Sequence, residues 1–516
     1  MRPRNSILFG VCSGILLVIC LPKPDLYPLA WIALVPLLYA GLLDNSALRV
    51  VIAAYSAGVV FFAGTCYWFA ETMNLYGGLP MGLAAGVAIL FSVTWALYFA
   101  FFGFVFHFLV RKFGARALLV APALWVTIEL ARTFLFSGFP WMLFGYALVP
   151  YPGVLQMASW TGVYGLSFIV VAVNAAIAYA LAFRRWAWIV PAGAAIAASW
   201  LLPVFGETAS NDPVSVRLVQ TNISIDQPWR EPSAGKLMDE LGELSAAPFP
   251  SLQALQALQA NAPRLIVWPE VPAPFYLAED AAFRLRMENI AQEAGAYFLL
   301  GYIGMTGDSP SNSAAVLSPR GEVVTRYDKI HLVPFGEYVP FKKLLFFAES
   351  LTRQVGDFTP GAEYTVSSVD NHRISAAICY ESIFPDLVRQ FVKQGSELIV
   401  VITNDGWFGE SSAPYQHLRM GIVRAVENRR YIVRTANTGI SAIIDPYGRI
   451  EASTPIGVRT VLDGVAHFRS ERTFYTEYGD VFAYLNALCV GVALLVGMSG
   501  RECKPDAKRE RDSAKP

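Results

Sequence analysis

The sequence carries no surplus charge. Its 40 Lys and Arg residues balance its 40 Asp and Glu, so it offers no basic field for a nucleic-acid partner. Histidine is scarce: His107, His331, His372, His417 and His467 show no metal-ligand spacing, and each is read as a structural or surface residue. No metal site is expected. A glycine-rich phosphate loop is missing too, which argues against a nucleotide-driven reaction. Gly439-Ile-Ser441 lacks the closing glycine of a nucleophile elbow, which counts against a serine hydrolase. Cysteines outside the apolar runs are nearly absent. Cys12, Cys20, Cys66 and Cys489 fall in apolar spans and Cys503 in the C-terminal tail. Cys379 is alone in the polar part of the chain, which excludes an internal disulfide there.

Apolar residues, in contrast, make up 55% of the 516 positions, and the mean hydropathy of +0.43 is that of a membrane protein. Runs long enough to cross a bilayer lie near 6–21, 27–43, 50–70, 83–110, 117–131, 161–183 and 187–205, with an eighth near 480–498. The first has a basic start in Arg2 and Arg4. No small-residue cleavage site follows it, so it is expected to remain as a helix.

Basic residues orient the bundle. Counted from a cytoplasmic N-terminus, the inside segments hold Arg2, Arg4, Arg49, Arg111, Lys112, Arg116, Arg184, Arg185 and the basic tail, whereas the short outside loops hold little beyond Lys23 and Arg132. The expected organisation is a transmembrane bundle over 1–206, an extracytoplasmic domain over 207–478, a C-terminal transmembrane helix over 479–499 and a charged cytoplasmic tail over 500–516. The loop between Arg132 and Trp160 carries Phe139, Trp141, Tyr151 and Trp160, either as interfacial belt aromatics or as a lipid-binding surface.

From Val214 the texture changes. Short β-rich runs occur at 214–223, 264–268, 297–305, 313–317, 323–327, 374–379, 398–403, 431–435 and 441–444, with helical patterns at 281–292, 384–393 and 415–429 between them. Strands alternating with helices predict an α/β domain. Ser251–Ala260 places Leu252, Leu255 and Leu258 on one helical face, a packing stripe.

Three of these runs end in reactive groups. Arg264-Leu-Ile-Val-Trp-Pro-Glu270 presents Glu270, Arg326-Tyr-Asp-Lys329 presents Lys329, and Ile374-Ser-Ala-Ala-Ile-Cys379 runs into Tyr380 and Glu381. Singly, each has an ordinary explanation: a solvated carboxylate, a surface amine, a core thiol. Together and in this order they resemble the nitrilase, or carbon–nitrogen hydrolase, superfamily, whose Glu–Lys–Cys triad stands at strand ends of an αββα sandwich. Thr403-Asn-Asp-Gly-Trp-Phe-Gly409, Gln416-His-Leu-Arg-Met420, Glu427-Asn-Arg429 and Thr435-Ala-Asn-Thr-Gly439 agree with that resemblance. With the flanking spans and the Gly138–Trp141 loop, nearly the whole chain resembles the apolipoprotein N-acyltransferase family.

The chemistry suits these residue types. A thiol needs a base or a nearby cation to attack at neutral pH, which Glu270 and Lys329 would supply. Lys329 and a backbone N–H near Tyr380 would meet the oxyanion. The resemblance implies a membrane phospholipid as acyl donor and the N-terminal amine of a diacylglyceryl-modified apolipoprotein as acceptor, in the bacterial inner membrane with the catalytic domain periplasmic. It implies no cofactor. Glu337 and Glu381 match acidic positions near the family's active site, where they would tune or orient Lys329, or form structural ion pairs. Trp229, Trp407 and the arm residues Phe341, Phe346 and Phe347 are candidates for the substrate pocket or a lid; core packing is the alternative for Trp229 and the arm. Two further readings stay open. One is a membrane-tethered amidase using the same triad on a small amide. The other is a non-catalytic scaffold or transporter, disfavoured because the spans lack paired internal charges; Glu71, Glu129 and Arg132 lie near span ends.

Overall fold

The computed structural model describes residues 5–201, 212–225, 227, 229, 232–249, 262–273, 275–338 and 358–500. The chain divides into two compact units, one formed by Met1–Leu75, Leu79–Val204 and Tyr478–Pro516, the other by Phe205–Glu477 together with Tyr76–Gly78.

The first unit is helical. Ala47–Thr65, Ala158–Phe183, Val481–Ser499 and the nearly continuous stretch Met81–Ser137 are long and apolar enough to cross a membrane, and Ser6–Ile19, Tyr27–Leu43 and Trp186–Leu201 are shorter apolar stretches. Large apolar side chains such as Leu83, Phe101, Leu119, Leu488 and Met498 face outward, as expected for helices whose surroundings are apolar. The aromatic loop is not one continuous belt or open surface. Trp141 and Tyr151 are buried, whereas Phe136 and Trp160 are exposed. Its backbone is held from two helices, Ala158–Phe183, where Ser167 Oγ accepts from Gly145 N at 2.8 Å, and Ala117–Phe134. Glu129 Oε1 accepts from Phe144 N at 2.7 Å and from Trp125 Nε1 at 2.9 Å, and Arg132 Nη2 donates to Trp141 O at 3.3 Å. The two charged residues thus satisfy loop groups that helix-to-helix packing leaves unpaired.

The second unit is a sandwich of two six-stranded sheets. The first sheet has the order β12-β1-β2-β3-β4-β5, built from β1 (Pro213–Gln220), β2 (Arg264–Val267), β3 (Tyr297–Thr306), β4 (Ser309–Leu317), β5 (Val323–Asp328) and β12 (Thr460–His467). The second has the order β11-β10-β9-β8-β7-β6, from β6 (Ser367–Val369), β7 (His372–Ile378), β8 (Leu398–Thr403), β9 (Ile432–Ala436), β10 (Ala442–Ile444) and β11 (Ile450–Ser453). β1, β2 and β3 run parallel, as do β7, β8 and β9. Such centres are covered on both faces, and β1 and β8 are buried along their whole length.

Ser233–Ala246 and Ala281–Ala294 pack Leu237, Leu241, Met287 and Ile290 into the core of the first sheet. Pro385–Lys393 and Ala413–Asn428 turn buried faces toward the second. Three strands, β6, β11 and β12, and the helix Ser233–Ala246 add to the elements read from sequence. In β12 the alternation is broken by Asp463 and Gly464. Asp463 is paired with buried Arg217 across the ladder at 2.8 Å, and Gly464 leaves room for Ile443 of the facing sheet, whose Cδ1 would lie 2.3 Å from an added Cβ. Neither reason is local to the strand. The Ser251–Ala260 stripe lies outside the described residues.

Candidate active site

Glu270, Lys329 and Cys379 emerge where β2, β5 and β7 end. β2 and β5 run in the same direction in the first sheet, with β3 and β4 between them, so both finish at one edge of it, and β7 belongs to the second sheet. Glu270 follows β2 across Trp268-Pro269. Its close approach to β3 requires a glycine, because a Cβ on Gly301 would stand 2.6 Å from Pro269 O and 2.8 Å from Glu270 Cα.

Lys329 is 1% exposed and lies between two carboxylates. Its Nζ is 3.2 Å from Glu270 Oε1 and 2.9 Å from Glu337 Oε1. Both carboxylates are anchored elsewhere. Asn404 N donates to Glu270 Oε2 at 2.9 Å, Val333 N donates to Glu337 Oε2 at 2.7 Å, and Asn312 Nδ2 bridges Glu270 Oε1 and Glu337 Oε1 at 2.7 and 2.6 Å. Burial alone would depress the Lys329 ammonium, but Glu270 and Glu337 overcome it and hold the amine above its ordinary value. It is therefore a fixed cation across the neutral range.

Cys379 takes φ of +52°, a left-handed conformation that a side chain tolerates at a cost of roughly 1–3 kcal/mol. Burial pushes its thiol above the usual range and the Glu270 charge adds to this, while Lys329 pulls the other way without prevailing. The neighbouring cation therefore does not leave a resting thiolate, and deprotonation needs an acceptor at the moment of attack. Glu337 touches Lys329 directly, whereas Glu381 bonds to the frame of the site. Its Oε1 accepts from Tyr327 Oη at 2.6 Å, Ile330 N at 2.7 Å and His331 N at 3.2 Å, and its Oε2 from Ile378 N at 2.8 Å. One carboxylate ties the Lys329 segment to the Cys379 turn. Tyr380 packs edge-on to Phe384.

Burial pushes the Glu381 carboxyl up to about 7, against the pull of the Tyr327 hydroxyl and the backbone donors. The folded protein then holds a proton that the unfolded chain has released between the ordinary 4.5 and about 7. Stability should therefore fall as pH rises through that window, by roughly 3 kcal/mol at most, and level off above it. Thermal unfolding across this range is expected to show the slope in the wild type and to lose it in Glu381→Gln; equal slopes would place the titration elsewhere.

Among the remaining candidates, Trp229 is half-buried against the first-sheet core, edge-on to Phe275. Trp407 lies in the turn Asp405–Phe408 and packs edge-on to Tyr76, whose hydroxyl donates to Gly406 O at 3.1 Å. Phe341, Phe346 and Phe347 lie outside the described residues. Among the described residues, no three His, Cys, Asp or Glu side chains converge as metal ligands. Sequence reasoning missed Asn312, which sits inside β4 among serines with no distinguishing pattern, and His417, which was read as structural or surface. His417 is 1% exposed and lies behind Cys379, its Nε2 3.1 Å from Cys379 O.

Residues 13–176 match the model of the apolipoprotein N-acyltransferase N-terminal domain, and residues 215–464 that of carbon-nitrogen hydrolase. An apolipoprotein N-acyltransferase of Geobacter metallireducens is 39% identical, over 97% of this chain and 96% of its own. The chain belongs to the apolipoprotein N-acyltransferase family. A member from Methylococcus capsulatus is 32% identical over 95% of each chain. A solved amidase from Nesterenkonia sp., 21% identical, covers 55% of this chain and 99% of its own with a TM-score of 0.38. The family is one of N-acyltransferases, and this chain carries a carbon-nitrogen hydrolase region after a helical region with several apolar helices.

Proposed function

We propose that this protein transfers an acyl chain from a membrane phospholipid, through a thioester on Cys379, to the N-terminal amine of the diacylglyceryl-cysteine of an apolipoprotein. The observation that carries this reading is the convergence of Glu270, Lys329 and Cys379 at three strand ends, in a chain related to N-acyltransferases along nearly its entire length.

In the first half-reaction Glu270 takes the Cys379 proton as sulfur attacks the ester carbonyl. Negative charge grows on the carbonyl oxygen, where the Lys329 ammonium and the Tyr380 N–H stabilise it; a donor at such a position contributes several kcal/mol. The tetrahedral centre collapses with cleavage of the ester C–O bond. Glu270 returns its proton to the departing alkoxide, and a lysophospholipid leaves. In the second half-reaction the acceptor amine, with a pKa near 8, attacks the thioester carbonyl and gives a proton to Glu270. The C–S bond breaks, and the proton returns to sulfur. An ester is exchanged for a more stable amide, so the reaction runs without ATP. A small-amide hydrolysis is less well supported, because the relatives from Geobacter metallireducens and Methylococcus capsulatus are N-acyltransferases. The deciding experiment is detection of the Cys379 thioester in protein exposed to phospholipid alone.

The same reading places eight spans in the bacterial inner membrane and the α/β unit on the periplasmic side, from the asymmetry of Lys and Arg between loops. A phosphatase reporter fused at Glu207 should be active and one fused at Arg185 inactive. The reverse pattern overturns the orientation.

A further inference from the structure

Behind the Cys379 turn lies a buried polar chain that the mechanism above does not use. Ser382 Oγ donates to Cys379 O at 2.7 Å and stands 2.8 Å from His417 Nε2, which is itself 3.1 Å from the same carbonyl. His417 Nδ1 is 3.0 Å from Asp405 Oδ1 and 3.1 Å from Arg434 Nη2, and Arg434 Nη2 donates to Asp405 Oδ2 at 2.7 Å. Thr403 Oγ1 donates to Asp405 Oδ1 at 2.9 Å. Ser382, Asp405, His417 and Arg434 are at most 1% exposed and come from four separate elements.

The order Ser–His–Asp is that of a hydrolytic triad, but the geometry is not. Ser382 is fully buried, and its proton is directed at a backbone carbonyl, so no substrate reaches it. What the chain holds is the Cys379 carbonyl. Ser382 donates to that oxygen, and with the imidazole proton on Nε2 His417 is a second donor to it; Arg434 Nη2 then donates to Nδ1, whose other neighbour, Asp405 Oδ1, takes its own hydrogen bond from Thr403. Burial together with the Arg434 charge lowers the His417 pKa against the pull of Asp405, so the ring is neutral.

The carbonyl of Cys379 and the N–H of Tyr380 belong to one planar trans amide and point in opposite directions. Fixing the oxygen on the buried side therefore aims the N–H on the other. Donors on the oxygen also polarise the amide and strengthen its N–H as a donor. Without such restraint, the left-handed Cys379 would be free to relax and swing the amide plane. We propose that Ser382 and His417, held by Asp405 and Arg434, are positioning residues that aim and polarise the Tyr380 amide toward the developing oxyanion. This rests on the acyl-transfer reading of Cys379.

Two reactions of the same sulfur separate this role from general upkeep of the fold. Acylation by p-nitrophenyl butyrate passes through a tetrahedral oxyanion; alkylation by iodoacetamide displaces iodide directly and forms none. In full-length protein in detergent, Ser382→Ala and His417→Leu should slow acylation by about tenfold to a hundredfold while changing alkylation by less than about threefold. His417→Gln, which keeps a donor near the Nε2 position, should recover part of the loss. Equal loss of both reactions would overturn the proposal, since the chain would then serve the thiol itself. Unchanged acylation in both variants would also overturn it. Should the wild type react with the nitrophenyl ester but never with phospholipid, the lipid assignment fails and the positioning role stands. A wild type acylated by neither would end both.

Discussion

Incubated with a phospholipid and no acceptor, the purified protein should gain the mass of one fatty-acyl group, carried on Cys379. Hydroxylamine should release it, because the bond is a thioester, and a diacylglyceryl peptide should discharge it into an amide at the peptide N-terminus. The expectation follows from the site. Cys379 sits in a strained turn among buried charges that are useless to a core thiol, and Glu270 beside it is held by Asn404 N and Asn312 rather than left to solvent. Cys379→Ala should abolish both charging and transfer, a loss on the order of 10⁴-fold or more, with the fold kept, since the deleted sulfur is small. Cys379→Ser should not accumulate the thioester either, because the hydroxyl is far harder to deprotonate than the thiol. Glu270→Gln should leave the thiol protonated and uncharged. Protein that acylates the peptide yet never shows the adduct would rule out covalent catalysis at Cys379. Protein that does neither but hydrolyses small amides would restore the amidase alternative.

Lys329→Met is expected to cost both activity and stability, and the two losses should separate. Lys329 is the buried cation between Glu270 and Glu337. Its removal leaves two carboxylates that share one donor, Asn312, with no opposing charge. Uncompensated buried charge costs about 3–5 kcal/mol. Lys329→Met with Glu337→Gln removes one of the two charges and should recover most of the stability. Neither variant should charge Cys379 at more than about one thousandth of the wild-type rate, because the oxyanion lacks its cation. Thermal unfolding at pH 8, beside the adduct assay, checks both parts. A Lys329→Met protein as stable as wild type would mean that the two carboxylates do not need Lys329 in the native state.

Glu270, Lys329 and Cys379 were legible as candidates because each follows a strand-like run and because the three, together and in that order, resemble a known triad. Glu337 was legible only through resemblance, and its contact with Lys329 depends on the turn at 335–337. Ser382, Asp405, His417 and Arg434 could not be assembled from spacing at all, since they sit on a turn after β7, a turn after β8, a helix and a strand. Buried polar networks arise from tertiary contact between residues that are unremarkable one at a time. Trp141 of the aromatic loop was misread for a related reason. Composition places Trp141 at an interface, but Phe139 stacks on it, Trp68 packs against it, and Arg132 holds its carbonyl, so the ring faces inward.

On the proposed thioester route, the pairing of one ammonium with two carboxylates also sets an order of events. By formal charge, two carboxylates, one ammonium and a neutral thiol give the centre one net negative charge. A free thiolate would make it two, among side chains that are nearly all buried. Handing the proton to Glu270 avoids this: charge moves within the centre and the total stays constant. Once the leaving alkoxide has carried the proton away, the acyl-enzyme again holds one net negative charge beside an uncharged thioester. A cationic ammonium is then drawn in; it sheds one proton to solvent to become the free amine, and Glu270 is left to take the second as the amine attacks. An anionic nucleophile such as hydroxide is repelled. The same charge count that keeps the sulfur quiet before acylation favours an amine over hydroxide afterwards, and so protects the acyl group until an acceptor arrives.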